Sequence, residues 1–297
     1  MVGVVLGGSD QIYGQSVHAG ANKAAREFKL GVEWMGAAGE SDAERQSAVV
    51  DSLVQRHVAG IVLAPADARL LEPAVERAAT AGVPVVILDS SLSASGRLTY
   101  ITVDHRGAGR QAADRLGELM RGEGKAVVLG MAGQDAAAAQ REAGFTEELK
   151  AKYPKIGLLQ TAYVEGGKTE AVALARSVLD KYPDLNGLFA ASLTCSQAVV
   201  YELRRRGSSR VRVVAFDASA EIAGELRNRF IDALIVPDPV RLGYEGVAAI
   251  AARLRGATPP ERIACDAHLV DRSNIENPES VMVLYPDLKS YLEPESN

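Results

Sequence analysis

Two stretches of the chain bring a carboxylate to the same point of a shared pattern. Gly82-Val-Pro-Val-Val-Ile-Leu-Asp89-Ser-Ser and Arg210-Val-Arg-Val-Val-Ala-Phe-Asp217-Ala-Ser are each an apolar run ending in an aspartate followed by small residues. A single such aspartate is accounted for by helix capping or turn formation. A matched pair favours a site, because doubly wound sheets bind ligands at the carboxyl ends of their strands. A pair could also serve as the acid and base of a glycosidase, but no other residue supports hydrolysis.

The remaining groups with chemical potential fall short of a reaction. Gly107-Ala-Gly109-Arg-Gln-Ala112 has the letter of a dinucleotide fingerprint. It does not open the first strand–helix unit, however, and the next strand ends in Gly130-Met-Ala rather than in an acidic residue. Close helix packing is the better reading. Gly167-Lys168-Thr169 resembles the end of a P-loop, but Ala162 stands where the first glycine belongs, and Glu165 would repel a triphosphate. His18, His57, His105 and His268 show no metal-ligand spacing. His105 follows a strand end beside Asp104 and could face a cleft, although lone histidines read as surface or hinge residues. Cys195 and Cys265 read as small buried hydrophobes. No G-x-S-x-G elbow occurs, and Arg204-Arg205-Arg206 reads as a solvated helix end.

These residues must be positioned by short apolar runs alternating with amphipathic segments. Strands are expected at Val2–Leu6, Val32–Met35, Gly60–Ala64, Val83–Leu88, Leu98–Val103, Ala126–Leu129, Gly157–Thr161, Gly187–Ala190, Val211–Phe216, Ala233–Val236 and Ala267–Val270. Most are continuously hydrophobic, as parallel strands buried on both faces are. Between them, Val17, Ala21, Ala24, Ala25 and Phe28 recur at helical spacing, as do Val49, Val50, Leu53 and Val54 behind a possible cap at Ser41 or Asp42. Repeated βα units imply doubly wound parallel sheets, and this many strands imply two of them. A length of 297 residues likewise fits two domains.

Composition narrows the class. Hydrophobic residues make up 47% and charged residues 24%, with aromatics at only 5%, so the core must be mostly aliphatic. A net charge of −5 gives no general attraction to nucleic acid. No apolar run approaches the ~20 residues of a membrane span. The run Val2–Leu6 is too short for a signal-peptide core and has no basic leader, which suggests either a cytoplasmic protein or one whose leader has been removed.

The order and spacing of several stretches resemble the type 1 periplasmic binding proteins. The likeness is to the ribose/galactose-binding-like branch, which serves ABC transporters and shares its fold with LacI-type effector domains. The stretches are His18-Ala-Gly-Ala-Asn-Lys-Ala-Ala-Arg-Glu-Phe28, Gly60-Ile-Val-Leu-Ala-Pro65, Ala81-Gly-Val-Pro-Val-Val-Ile-Leu-Asp89, Ala139-Gln-Arg-Glu-Ala-Gly-Phe145 and Val213-Val-Ala-Phe-Asp217. The ending Asn274-Ile-Glu-Asn-Pro-Glu with Tyr285-Pro-Asp-Leu is similar to the tails of this branch. The resemblance implies two Rossmann-like α/β lobes joined by a three-crossover hinge. One lobe would be residues 1–104 plus 237–265, the other 105–236 plus 266–297. It further implies capture of a sugar or polyol between the lobes and delivery to ABC transporter membrane subunits, by a monomer outside the cytoplasm, without catalysis, cofactor or nucleic acid. The alternative is a sugar-sensing module of a LacI-type regulator or a chemoreceptor partner.

By the same resemblance Asp89 and Asp217 accept from sugar hydroxyls, Arg141 donates to ring or hydroxyl oxygens, and Tyr13 stacks on the sugar ring. Several matching positions depart from the family pattern: Gln11 and Ser192 stand where asparagines are frequent, and Ser90 where an arginine can follow the aspartate. Gly14 and Val164 replace aromatics, with Tyr163 beside the latter as a candidate substitute, and Pro237 replaces a glutamine. Fewer stacking rings and amide donors imply a differently wired site.

Overall fold

The computed structural model describes residues 1–7, 11–36, 43–89, 95–133, 136–207 and 210–292, with Gln11 and Gly36 described by their backbone. The possible helix cap at Ser41 or Asp42 lies outside these residues. The chain begins with three βα steps and two further strands: β1 (Val2–Leu6), α1 (Gln11–Phe28), β2 (Val32–Gly36), α2 (Ala43–Gln55), β3 (Gly60–Ala64), α3 (Ala68–Thr80), β4 (Val85–Leu88) and β5 (Arg97–Val103). It continues through α4 (His105–Leu119), β6 (Glu123–Met131), α5 (Ala136–Lys152), β7 (Lys155–Val164), α6 (Lys168–Lys181), β8 (Gly187–Ala190), α7 (Leu193–Arg206), β9 (Arg212–Phe216), α8 (Ala220–Arg227) and β10 (Ala233–Val236). It ends with α9 (Pro239–Leu254), β11 (Arg262–Cys265), β12 (His268–Asp271), α10 (Pro278–Leu284) and α11 (Lys289–Leu292).

Two six-stranded sheets result, ordered β11-β5-β4-β3-β1-β2 and β12-β10-β9-β8-β6-β7. The chain divides into two compact units: Met1–Val103 with Asp238–Cys265 and Pro286–Asn297, and Asp104–Pro237 with Asp266–Tyr285. In this grouping the end of the chain falls with the first unit, whereas the expected division gave the whole tail to the second. Asn22 on α1 donates to the Tyr291 carbonyl (2.8 Å) and Arg26 to that of Ser290 (2.9 Å), which fastens the chain end to the first unit.

The expected strands are present, with differences at edges and ends. β6 and β7 run longer than their expected spans at both ends: β6 opens on Glu123 and the exposed Lys125, and β7 reaches from exposed Lys155 through buried Ile156 to Val164. β11 was not expected: Arg262-Ile-Ala-Cys265 is a short edge strand with an exposed start, and its apolar run is only the three residues Ile263-Ala-Cys265. β12 pairs antiparallel with β10, unlike the other ladders.

Caps end the strands' loops and start the helices. Asp67, Asp104, Ser192, Ser219 and Asp238 accept from backbone N–H groups in the first turns of α3, α4, α7, α8 and α9. Gly167, the P-loop look-alike, is the N-cap of α6, and its N–H donates to the Glu170 carboxylate at 3.0 Å. The arginine triplet is not merely solvated. Arg204 pairs with Glu225, Arg205 with Glu202 (2.6 Å) and Arg206 with Asp180 (2.6 Å), tying α7 to α8 and α6.

Helices meet at glycine contacts in both units. A Cβ on Gly109 of α4 would overlap the Arg141 carbonyl oxygen on α5, and one on Gly144 would overlap that of Arg106. In the first unit a Cβ on Gly20 of α1 would overlap the Val240 carbonyl oxygen on α9, and one on Gly243 that of Val17. The G-x-G-x-x-A run is therefore a helix-packing device at Gly109, while Gly107 packs against its own cap, Asp104.

Candidate functional site

Asp89 follows β4 and Asp217 follows β9, and both are half-buried. Both adopt left-handed backbone, with φ of 53° and 66°. Aspartate is among the few non-glycine residues that tolerate this region. The turn keeps each backbone in the ladder, since Asp89 N–H donates to the Ile101 carbonyl (2.8 Å) and Asp217 N–H to that of Ile235 (3.0 Å). Each carboxylate is thus carried by a rigid strand end rather than by a free loop.

In the first unit the Tyr13 hydroxyl donates to Asp89 Oδ2 at 3.4 Å and Thr102 Oγ1 donates to Oδ1 at 3.0 Å. The Val103 N–H faces the same oxygen at 3.5 Å. Tyr13 lies in the first turn of α1, so its ring and the strand-end carboxylate form one surface. Next to it, His18 stacks on Trp34 with ring centroids 4.3 Å apart, and burial lowers the His18 pKa. The Trp34 indole approaches Gly14, the position lacking an aromatic ring.

In the second unit Arg141 is 6% exposed. Its Nε donates to the Ala191 carbonyl at 3.1 Å, its Nη1 lies 3.1 Å from His105 Nδ1, and its guanidinium sits 4.2 Å above the Phe216 ring centroid. Phe216 directly precedes Asp217, so the cation and the strand-end carboxylate belong to one neighbourhood. Among the described residues no carboxylate forms an ion pair with Arg141. Burying a charge without an opposite partner costs free energy, which the carbonyl, the imidazole and the aromatic face offset in part.

The other expected site residues are placed less centrally. Ser192 caps α7, its oxygen accepting from the Cys195 N–H at 3.2 Å. The Tyr163 hydroxyl donates to Glu142 at 2.9 Å, which raises its pKa, and half of the residue is exposed. Val164 leaves the opposite face of β7 and enters the apolar core, so Tyr163 does not fill the space an aromatic at 164 would occupy. Gln11 opens α1, but its side chain lies outside the described residues, as does Ser90. His105 corrects the expectation of a surface or hinge histidine: it is 6% exposed and bonded to Arg141. Phe216, Thr102 and Trp34 carry no local spacing that marks them, and for His105 the sequence offered only its place after a strand end beside Asp104. Only the adjacency of His105 and Phe216 to the strand ends hinted at a role.

Both cysteines are buried thiols, and burial raises the Cys195 pKa. Among the described residues no cluster of His, Cys, Asp or Glu could hold a metal ion, and no helix is long and apolar enough to cross a membrane.

A family model described as a periplasmic binding protein domain matches residues 2–258. The D-apiose import binding protein of Actinobacillus succinogenes is 26% identical over 220 residues, which are 74% of this chain and 70% of that protein. A carbohydrate transporter solute-binding protein from Agrobacterium radiobacter, solved with D-arabinose, is 28% identical with a TM-score of 0.79, covering 95% of this chain and 98% of its own. An ABC transporter solute-binding protein from Agrobacterium vitis, bound to α-D-tagatopyranose, is 27% identical with a TM-score of 0.80, covering 96% and 98%.

Proposed function

We propose, for a chain that belongs to the type 1 periplasmic sugar-binding proteins of ABC transporters, that its ligand is a neutral monosaccharide held by Asp89, Arg141 and Asp217 with Tyr13 against the ring. A member of this family captures its solute outside the cytoplasm and delivers it to the transporter's membrane subunits without altering it. The observation that carries the finer reading is the buried Arg141 guanidinium, fixed by a carbonyl, an imidazole and an aromatic face but paired with no carboxylate among the described residues. A neutral sugar suits such a position because each hydroxyl can accept from the guanidinium while donating to a carboxylate. An anionic sugar would meet Asp89 and Asp217 as like charges. The proteins solved with D-arabinose and α-D-tagatopyranose, and the relative that imports D-apiose, support a pentose or ketohexose as the first probes.

Thermal-shift and calorimetric titration with D-arabinose, D-ribose, D-apiose and D-tagatose test this. At least one sugar should raise the melting temperature of the wild-type protein. Asp89→Ala and Arg141→Ala should each weaken binding ~100-fold or abolish it, as expected for losing a charge-assisted bond of about 1.5–3 kcal/mol, while keeping a cooperative unfolding transition. An undiminished shift in both variants would overturn the assignment.

A further inference from the structure

Resting on the reading of Arg141 as the sugar's cationic donor, we infer that His105 is a positioning residue for that guanidinium, acting as a neutral, Nε2-protonated ring whose bare Nδ1 sets how Arg141 is presented. The chemistry of the contact leaves one arrangement. A guanidinium has donors only, so a ring nitrogen 3.1 Å from Arg141 Nη1 must be the acceptor. Nδ1 therefore carries no proton, and the ring's one proton sits on Nε2. A doubly protonated ring would set two cations face to face at a position where both side chains are 6% exposed.

Three contacts on different parts of the guanidinium then hold it. The Ala191 carbonyl takes Nε, His105 takes Nη1, and Phe216 takes the flat face. Rotation about the last bonds of the side chain would break at least one of them. Nη2 is left to neither the carbonyl nor the imidazole, and it is the nitrogen this arrangement presents to a hydroxyl oxygen. The spacing of the pair is set by backbone. His105 opens α4 directly after its cap Asp104, and Arg141 lies on α5, whose carbonyl at that very residue touches Gly109 of α4. The His105 ring also lies 6.3 Å from that of Phe216, tilted by 50°, so the imidazole is oriented from a second side. Without the acceptor at 105, the guanidinium keeps its charge and its burial but loses one of the two bonds that fix its plane.

Titration calorimetry with D-arabinose, D-ribose, D-apiose and D-tagatose on wild-type protein, His105→Asn, His105→Leu and Arg141→Ala tests the inference, together with 15N NMR of the wild-type imidazole. His105→Asn places an amide oxygen where Nδ1 stood and should bind within ~3-fold of wild type. His105→Leu has no acceptor and should bind about 10-fold more weakly. A purely structural role would instead make the affinity of both variants follow their melting temperatures. The NMR spectrum of the unliganded protein should show an unprotonated Nδ1 and a protonated Nε2. Should His105→Leu not fold, the wild-type tautomer and the His105→Asn affinity still decide. An Nδ1-protonated ring, or wild-type affinity in His105→Leu while Arg141→Ala has lost binding, overturns the role of His105 and leaves the sugar assignment standing. Wild-type affinity in Arg141→Ala, or no binding of any of the four sugars by the wild-type protein, overturns the assignment itself and the inference with it.

Discussion

Asp89 in the first unit and Asp217 in the second each follow a buried parallel strand, each turn left-handed, and each return an N–H to the neighbouring strand. Their surroundings differ. Asp89 is ringed by hydroxyl donors from Tyr13 and Thr102. Asp217 follows the phenylalanine on which a buried arginine is stacked. One scaffold has thus been wired twice, with a carboxylate held by hydroxyl donors in the first unit and a buried guanidinium stacked beside the strand end in the second.

The helix pairs sharpen this contrast and carry the largest expected effect. Gly20 on α1 meets a carbonyl of α9, and Gly109 on α4 meets that of Arg141 itself. Gly20→Ala and Gly109→Ala should both destabilise by about 1–3 kcal/mol, since a methyl group forced into a backbone contact must push the helices apart. Only Gly109→Ala moves the residue that presents the guanidinium. Denaturant unfolding should therefore rank the two variants alike, while sugar titration separates them, with the weaker binding in Gly109→Ala. Equal affinities would mean that the α4–α5 contact has no part in placing Arg141.

These contacts also show which parts of the molecule could be read in advance. The strand-end aspartates were legible because a buried strand announces itself by an unbroken apolar run, and whatever polar residue ends that run stands at the sheet's edge. The packing role of Gly109 was legible by elimination, since no acidic residue followed at the next strand end. Arg141 was not legible from pattern at all; it sits in an ordinary helix, and only the family resemblance singled it out. Its partner His105 is distant in sequence and belongs to another helix, so no periodicity links the two. Two of the arginine triplet's pairs were hidden for the same reason, because Glu225 and Asp180 lie on α8 and α6; the Arg205–Glu202 pair, three residues apart on α7, was in reach of helical spacing. Side-chain pairing between elements is set by tertiary packing, which a linear pattern does not display.

Charge supplies the next effect and distinguishes the second unit again. Glu202 has no exposed side-chain surface and is bonded by Arg205 and Arg176. Burial alone would raise its carboxyl, but the two guanidinium bonds outweigh this and hold it below its ordinary value. A carboxylate held low in the folded state stabilises above its unfolded pKa, about 4.3, and loses that contribution as the pH falls through the lower folded value. Glu202→Gln should cost about 1–2 kcal/mol at pH 7, less than a fully buried pair because both arginines are half exposed. The deficit should shrink as the pH is lowered through the acid range. Parallel stability curves for wild type and variant down to pH 3 would exclude this linkage.

The smallest effect tests the first unit's wiring alone. Thr102 Oγ1 donates to Asp89 at 3.0 Å, and the Thr102 side chain is almost wholly buried. Thr102→Val keeps the shape and removes one donor to the carboxylate. The carboxylate retains the Tyr13 hydroxyl and the Val103 N–H, so stability should fall by only about 0.5–1.5 kcal/mol. On the proposed role of Asp89 a sugar hydroxyl would compete for the same oxygens, so the variant's loss in affinity should be slight, on the order of 2–3-fold. The direction discriminates between two roles for the threonine. If it holds Asp89 in the orientation the sugar needs, affinity falls with stability; if it merely occupies an oxygen the sugar must win back, affinity rises while stability falls. The hydrogen-bonded turn that already fixes the Asp89 backbone argues for a weak orienting role, and calorimetric titration of Thr102→Val with D-arabinose and D-ribose separates the two by sign.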